Sequence, residues 1–420
     1  MVICTDFLLR EIRRKQSIPA EEYGRYGAIL SDAQALWHKA RAENDFNILA
    51  PKLEEIVANL RAFAKYNMPD KDPYDYCLEQ HEDGLDVGMF DEIFDSIKKE
   101  VPQLLMAIKE KPQIDDACLR GSFSEESQQE LVMLILELIG IDLDRVGVTK
   151  AEHPFTISLG SHLDERIATR CSTDNIASTL YTILNQGGHA LYETGQADNL
   201  AFTVLDGAAA LSLTESQGRF YENIIGRSRA FIEYLYPELV ELFPVPVGNY
   251  STNEIYRAVN KVEASFIRIG ADELTYNLHV LVRYELEKAL LRGDLMVKDL
   301  PDAWNQKYKE YLGIDVPDDL NGVLQDIHWP FGSFGYFPLY VMGNIFSAQI
   351  TEKMGEEFNV FDCVEEGNFE LINAWNKNKI WKYGGLFKSK EIMEKYVGVP
   401  ISSEAYVDYL RNKYTEIYKL

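Results

Sequence analysis

Leu184-Asn185-Gln186-Gly187-Gly188-His189-Ala190-Leu191-Tyr192-Glu193 is the stretch on which the reading of this chain turns. Residues 185 and 189 are four apart, about 40° around a helix of about 3.6 residues per turn, so on a helix their side chains aim at one spot. In the pattern H-E-x-x-H that spacing lets two imidazoles grip one metal ion while the intervening Glu serves as general base. Here the three working slots read Asn185, Gln186 and His189. A neutral amide stands in the first imidazole's slot. A second amide, which does not titrate, stands in the slot of the base. Taken alone, the decapeptide reads more simply as a tight helix crossing with one core histidine, Gly187 and Gly188 letting a neighbouring backbone come close.

Six separated segments bear on that choice. His153-Pro154-Phe155 comes first, then Asp164-Glu165-Arg166-Ile167-Ala168-Thr169, then Asn185 to His189. Thr214-Glu215-Ser216-Gln217 and Ile267-Arg268-Ile269-Gly270-Ala271-Asp272 follow. The sixth is Gly322-Val323-Leu324-Gln325-Asp326-Ile327-His328-Trp329, with Gly332-Ser333-Phe334-Gly335-Tyr336-Phe337-Pro338 behind it. In content and order these segments resemble the signature blocks of the Taq carboxypeptidase family of zinc metallocarboxypeptidases. The likeness runs from about Ser31 to the C-terminus.

The resemblance implies a mainly α, zincin-like fold. It is expected to be a single large helical domain over residues 1–420 around a deep cleft, with a small β-sheet beside the active-site helix. It also implies a helical N-terminal segment, used by relatives to help cover the cleft, that is apparently missing here. The metal positions become Asn185, His189 and Glu215, and the base position Gln186. Asn185 offers only an amide oxygen, which suits hard ions better than zinc. Losing even an outer partner of a metal ligand costs about 10–100-fold in affinity. Zinc, present in relatives, is therefore expected to be weak or absent here. Thr214 is a third departure, since relatives carry His before the ligand Glu.

The other matched positions keep their residue types. By resemblance Arg268 would take a peptide's terminal carboxylate, through the bidentate fork a guanidinium offers. An ion pair with Asp272, read as i+4 on the same helix, is the alternative. Tyr336 would donate to the scissile carbonyl or the developing oxyanion, or else be a packed aromatic. His328 would stabilise charge near the metal, or else be a buried ring bonded to Asp326 or backbone. His153 and Arg166 would brace the site, with Asp164 orienting one of them. Phe334 to Tyr340 reads as cleft wall or as core, and His38, His81, His162 and His279 as ordinary surface or core histidines.

Bulk properties limit the partners. The net charge of −25 argues against nucleic acid, whose phosphates need a basic face, and against anionic membranes. Cys4, Cys77, Cys118, Cys171 and Cys363 are odd in number and scattered, as expected of free thiols in a reducing cytoplasm. The apolar run Leu131 to Ile135 meets Glu137 and reads as a buried helix, not a membrane span.

Helical text dominates. Ala33–Ala42, Leu53–Tyr66, Phe90–Lys109, Asp272–Leu291 and Ala303–Leu312 read as helices, with Ser124 as an N-cap and Gly293 as a stop. Strand candidates are Asp144–Val148, Thr156–Leu159 and Ala168–Ser172.

The expected function is a homologue of metal-dependent carboxypeptidases, inactive or severely impaired. It would keep a peptide cleft for partners with a free C-terminal carboxylate and form a homodimer. An active metallocarboxypeptidase that releases C-terminal amino acids is the alternative, and a purely structural dimer the third reading.

Overall fold

A computed structural model of the chain describes Leu8, Leu9, Ile12 and residues 16–420; Cys4 lies outside the described residues. In chain order the main helices are α1 (Ala20–Glu43), α2 (Ala50–Asn67), α3 (Pro73–His81), α4 (Val87–Lys109) and α5 (Glu125–Leu138). Three strands follow: β1 (Val146–Lys150), β2 (Phe155–Ser158) and β3 (Glu165–Thr169). Then come α6 (Ile176–Thr194), α7 (Leu211–Arg219), a π-helical turn over Phe220–Ile225, α8 (Arg229–Leu242) and α9 (Thr252–Val259). A single 3-10 turn, Arg268–Gly270, precedes α10 (Tyr276–Arg292), α11 (Leu300–Leu312) and α12 (Phe337–Gly355). The chain ends with α13 (Val360–Glu365), α14 (Phe369–Lys379) and α15 (Glu404–Tyr418). The molecule is mainly helical with one small sheet, as the sequence predicts.

The chain forms two compact units, crossing between them after Ile108, Lys261 and Val341. Among its described residues the first contains no strand. Its core gathers Leu53, Phe90, Phe94, Tyr284 and Trp304, each almost wholly buried. Aromatic edges and faces interlock there, with Phe94 stacked 4.5 Å from Tyr284 and Trp304 5.0 Å from Tyr308.

The second unit holds the sheet, ordered β1-β3-β2, with β3 parallel to β1 and antiparallel to β2. β3 is the strand with a buried run, and both β3 and β2 pack on α6. Leu131, Val132 and Ile135 of α5 are buried, which places the apolar run in a core helix. Ser124 caps α5 by accepting from Ser127 N, and Gly293 stops α10 in a left-handed conformation at φ 91°. No helix among the described residues is long and apolar enough to cross a membrane.

Candidate functional site

α6 begins where Asn175 caps the helix by accepting from Ala177 N, and it carries Asn185, Gln186 and His189 within the second unit. The two glycines explain its neighbourhood. A Cβ at Gly188 would lie 2.4 Å from the Gln217 carbonyl oxygen, and one at Gly187 2.5 Å from Ile139 Cδ1. α7 therefore approaches α6 at backbone contact, the close crossing that the glycine pair predicts. The same crossing sets Gly218 against the metal positions. A Cβ there would lie 2.7 Å from His189 Nε2 and 2.8 Å from Asn185 Nδ2. Glu215, on α7 and half-buried, is packed from α12, where a Cβ at Gly343 would meet Glu215 Cβ at 2.6 Å.

The amides are joined in a directed chain of hydrogen bonds. The Thr156 hydroxyl of β2 donates to Gln186 Oε1 at 2.8 Å. Gln186 Nε2 donates to Asn185 Oδ1 at 3.1 Å, and Asn185 Nδ2 donates to Glu222 Oε2 at 2.9 Å. Arg219 Nη1 donates to the same carboxylate oxygen at 2.9 Å. An ionised carboxylate only accepts, so Glu222 fixes which end of Asn185 faces it, and the order of donors then propagates to Thr156. Glu222 reaches this position from the π-helical turn that follows α7. Burial, and then the charge of Arg219, lower the His189 pKa to about 4, with Glu222 and the Thr214 backbone pulling the other way. The ring is neutral near pH 7.

Arg268, Tyr336 and His328 belong to the first unit. Arg268 sits on the 3-10 turn, 5% exposed, and the alternative pair with Asp272 does not form. The helix starts only at Tyr276, so 268 and 272 share no helical face. Asp272 instead accepts from the Glu263, Leu274 and Thr275 backbone N–H groups. Arg268 donates through Nε and Nη2 to Asp326 Oδ1, at 3.2 and 2.8 Å, and through Nη1 to the Tyr276 hydroxyl at 3.0 Å. Three of its five N–H bonds are thus committed. Asp326 also accepts from Arg283 Nε at 2.6 Å. Burial alone would raise the Asp326 pKa, but Arg283 and then Arg268 hold it well below the usual carboxylate range.

His328 is not bonded to Asp326. Its Nε2 lies 3.5 Å from the Tyr340 hydroxyl, its Nδ1 is buried without a partner, and its ring is 4.3 Å from Phe337. Burial lowers its pKa to about 4. Tyr336 is half-buried between His81 and Tyr340, with ring centroids at 5.2 and 5.3 Å. The Phe334–Tyr340 segment divides its roles. Phe334 and Phe337 are core, while Tyr336 and Tyr340 are partly exposed.

Of the three residues expected to brace the site, only Arg166 lies in a strand, β3. His153 is exposed between β1 and β2, and Asp164 pairs with Arg166 at 2.7 Å with both side chains about half exposed. Of the remaining histidines, His38 is exposed and His81 Nε2 donates to the Phe334 carbonyl at 2.9 Å. His162 and His279 are buried, bonded to Asp206 and Tyr308.

The sequence reading missed Thr156, Glu222, Arg283 and His81 as neighbours of the candidate groups. That reading gives Asp326 only as a partner for His328, whereas the carboxylate accepts from Arg268 and Arg283. Among the described residues, no group of three or more His, Cys, Asp or Glu side chains comes together in an arrangement able to hold a metal ion.

Comparison with known proteins gives a consistent result. The family described as "Carboxypeptidase Taq (M32) metallopeptidase" matches residues 5–414. Carboxypeptidase 1 of Bacillus subtilis is 35% identical over 415 residues, covering 98% of this chain and 82% of that protein. Thermostable carboxypeptidase 1 of Pyrococcus furiosus is 34% identical over 409 residues, covering 96% and 82%. The crystal structure of the M32 carboxypeptidase from Deinococcus radiodurans R1 superposes with a TM-score of 0.96 at 32% identity, over 100% of this chain and 84% of the other.

Proposed function

The chain belongs to the carboxypeptidase Taq (M32) metallopeptidase family, and from that premise we propose that it is a homologue in which hydrolysis is lost or severely impaired. The observation that carries the reading is the amide chain. At the first metal position both ends of the Asn185 amide are committed, Oδ1 to Gln186 and Nδ2 to Glu222. Its nitrogen and His189 Nε2 both face the α7 backbone at Gly218. These residues do not fit a zinc ion, which prefers imidazole, thiolate or carboxylate donors converging on open space. Gln186 has no proton to take or give, and that help is typically worth about 10²–10⁴-fold in rate.

The ligand class that fits the reading is a peptide with a free C-terminal carboxylate. Arg268 keeps two N–H bonds outside its contacts with Asp326 and Tyr276, so any role toward that carboxylate runs through those two. Tyr336 and Tyr340 supply partly exposed aromatic surface in the same unit. The four described cysteines are free, in keeping with a reducing compartment.

The deciding experiment pairs metal analysis of the purified protein with a C-terminal trimming assay in added zinc or cobalt. We expect substoichiometric metal and no turnover. Stoichiometric metal with chelator-sensitive trimming would establish an active metallocarboxypeptidase instead. Asn185→His with Gln186→Glu should gain metal binding. Short peptides should bind the protein more tightly than their C-terminal amides, and equal binding would remove Arg268 from carboxylate recognition.

A further inference from the structure

We propose that Glu287 is a positioning residue of the peptide cleft, a clasp whose two carboxylate oxygens hold both ends of the 329–335 segment and so set the His328 and Tyr336 rings against each other. The inference rests on the peptide reading given above and adds to it a residue that touches no peptide. Every group involved lies in the first unit.

Glu287 is wholly buried on α10. Its Oε1 accepts from Trp329 Nε1 at 2.7 Å, and its Oε2 from the Gly335 backbone N–H at 2.9 Å. The two donors stand at opposite ends of the segment. His328 immediately precedes the first and Tyr336 immediately follows the second, and their ring centroids are 5.5 Å apart. The His328 ring also lies 4.3 Å from Phe337, and the Phe337 and Tyr340 rings flank the Arg268 guanidinium at 5.2 and 5.1 Å. α3 backs the segment. A Cβ at Gly335, whose φ is 84°, would lie 2.6 Å from the Cys77 carbonyl carbon, and His81 Nε2 donates to the Phe334 carbonyl. The Tyr74 hydroxyl of α3 donates to Glu287 Oε2 at 2.6 Å, a third bond that belongs to neither end of the segment.

The chemistry of the clasp requires a carboxylate. Ionised, it accepts on both oxygens and donates on neither, so it holds all three donors at once. A carboxamide does not. With its oxygen toward Gly335 and Tyr74 it turns NH2 against the indole N–H, and with its oxygen toward Trp329 it turns NH2 against the Gly335 N–H. One end of the segment is released either way. An apolar side chain would fill the space at lower cost, but it would leave both ends without an acceptor. Burial pushes the Glu287 pKa up to about 7, with Tyr74, Gly335, Trp329 and Arg283 pulling it down, so the group is ionised at pH 8.

The test is calorimetric titration of the full chain at pH 8, in chelator, with the acetylated tripeptide Ala-Ala-Phe bearing a free C-terminal carboxylate. Hydrogen exchange across residues 328–336 is followed without peptide. Trp329→Phe removes one end of the clasp but keeps a ring beside Phe334 and Trp304. Tyr74→Phe removes one bond to the same carboxylate and touches neither end. Glu287→Gln and Trp329→Phe should weaken the peptide by about tenfold or more and speed exchange across 328–336. Tyr74→Phe should leave both unchanged, whereas a merely structural Glu287 would make the two aromatic variants alike. That pair carries the test even where Glu287→Gln does not fold. Equal weakening by Trp329→Phe and Tyr74→Phe, or affinity or exchange untouched by Trp329→Phe, overturns the proposal. No saturable binding to the unsubstituted chain would remove the peptide reading and this proposal with it, whereas binding that survives loss of the clasp removes this proposal alone.

Discussion

At the scale of single residues, Glu222 sets the order of the whole amide chain. It faces Asn185 and Arg219 through one oxygen, with side chains only 15–16% exposed in the ion pair, so water screens the contact weakly. Glu222→Gln replaces an ionised acceptor by a group that must turn either an oxygen or an NH2 toward two donors. We expect a loss of about 1–3 kcal/mol in urea unfolding; a change within the scatter of surface substitutions would mean that the chain is not a structural constraint. His189 supplies a pH signature at the same scale. Its folded pKa, about 4, lies below the unfolded value near 6.5, so the unfolded chain binds the extra proton between them. The stabilisation is present above the unfolded pKa and is lost as pH falls toward 4. His189→Gln should flatten the acid side of the stability curve over that window, only in part because His328 is lowered in the same way. An unchanged acid limb would mean that the His189 ring does not lose solvation on folding.

At the scale of elements, the α6–α7 crossing is decided by a missing methyl group. Gly188→Ala would drive a Cβ against the Gln217 carbonyl, which as backbone can retreat only by moving α7. We expect destabilisation of about 1–3 kcal/mol, the usual cost of overpacking. Gly27→Ala is the control of opposite sign. It is exposed in α1 with nothing within 4 Å of the added atom, and removing a helical glycine gains about 0.5–1 kcal/mol. Equal effects of the two substitutions in chemical denaturation would refute the close-approach account.

These elements also mark what sequence reading reaches. The α1, α2, α4 and α11 predictions fall inside the observed helices because apolar spacing is local information. Ser124 and Gly293 act at ends for the same reason. The strands were legible to within a few residues, although the third begins at Glu165, earlier than its β-branched text suggests. The helix predicted from Asp272 starts four residues later, because the Asp272 side chain is spent on the preceding turn. The α6 slots are visible as a spacing, but Thr156 and Glu222 lie 30 and 37 residues from their partners and carry no spacing rule. The Asp272 alternative for Arg268 fails for a related reason. The arginine's partner, Asp326, is 58 residues away, across a connection that no local pattern encodes.

At the scale of the whole molecule, opposed sets of buried groups shape stability against pH. Glu165, Glu193 and Glu287 are each pushed up to about 7, by burial first and, for the first two, by neighbouring carboxylates as well. Their unfolded values lie near 4.3, so between about 4.3 and 7 the folded chain holds protons that the unfolded chain has released. Their contribution is greatest in acid and is lost as pH rises through 7. His81, His189, His279 and His328 are lowered by burial and act in the opposite sense below about 6.5. Above that pH the histidines are neutral in both states, and only the carboxylates still titrate in the fold. Stability should therefore peak slightly below neutrality and fall by about 1–2 kcal/mol from about pH 6.5 to 8. The formal charge of −25 adds self-repulsion in the same direction, but salt screens the surface part and spares the buried part. Urea unfolding across this range at low and high salt separates the two. Glu193→Gln should remove part of the decline that survives high salt, because an amide has no proton to lose, whereas a decline abolished by salt alone would assign the whole effect to the surface.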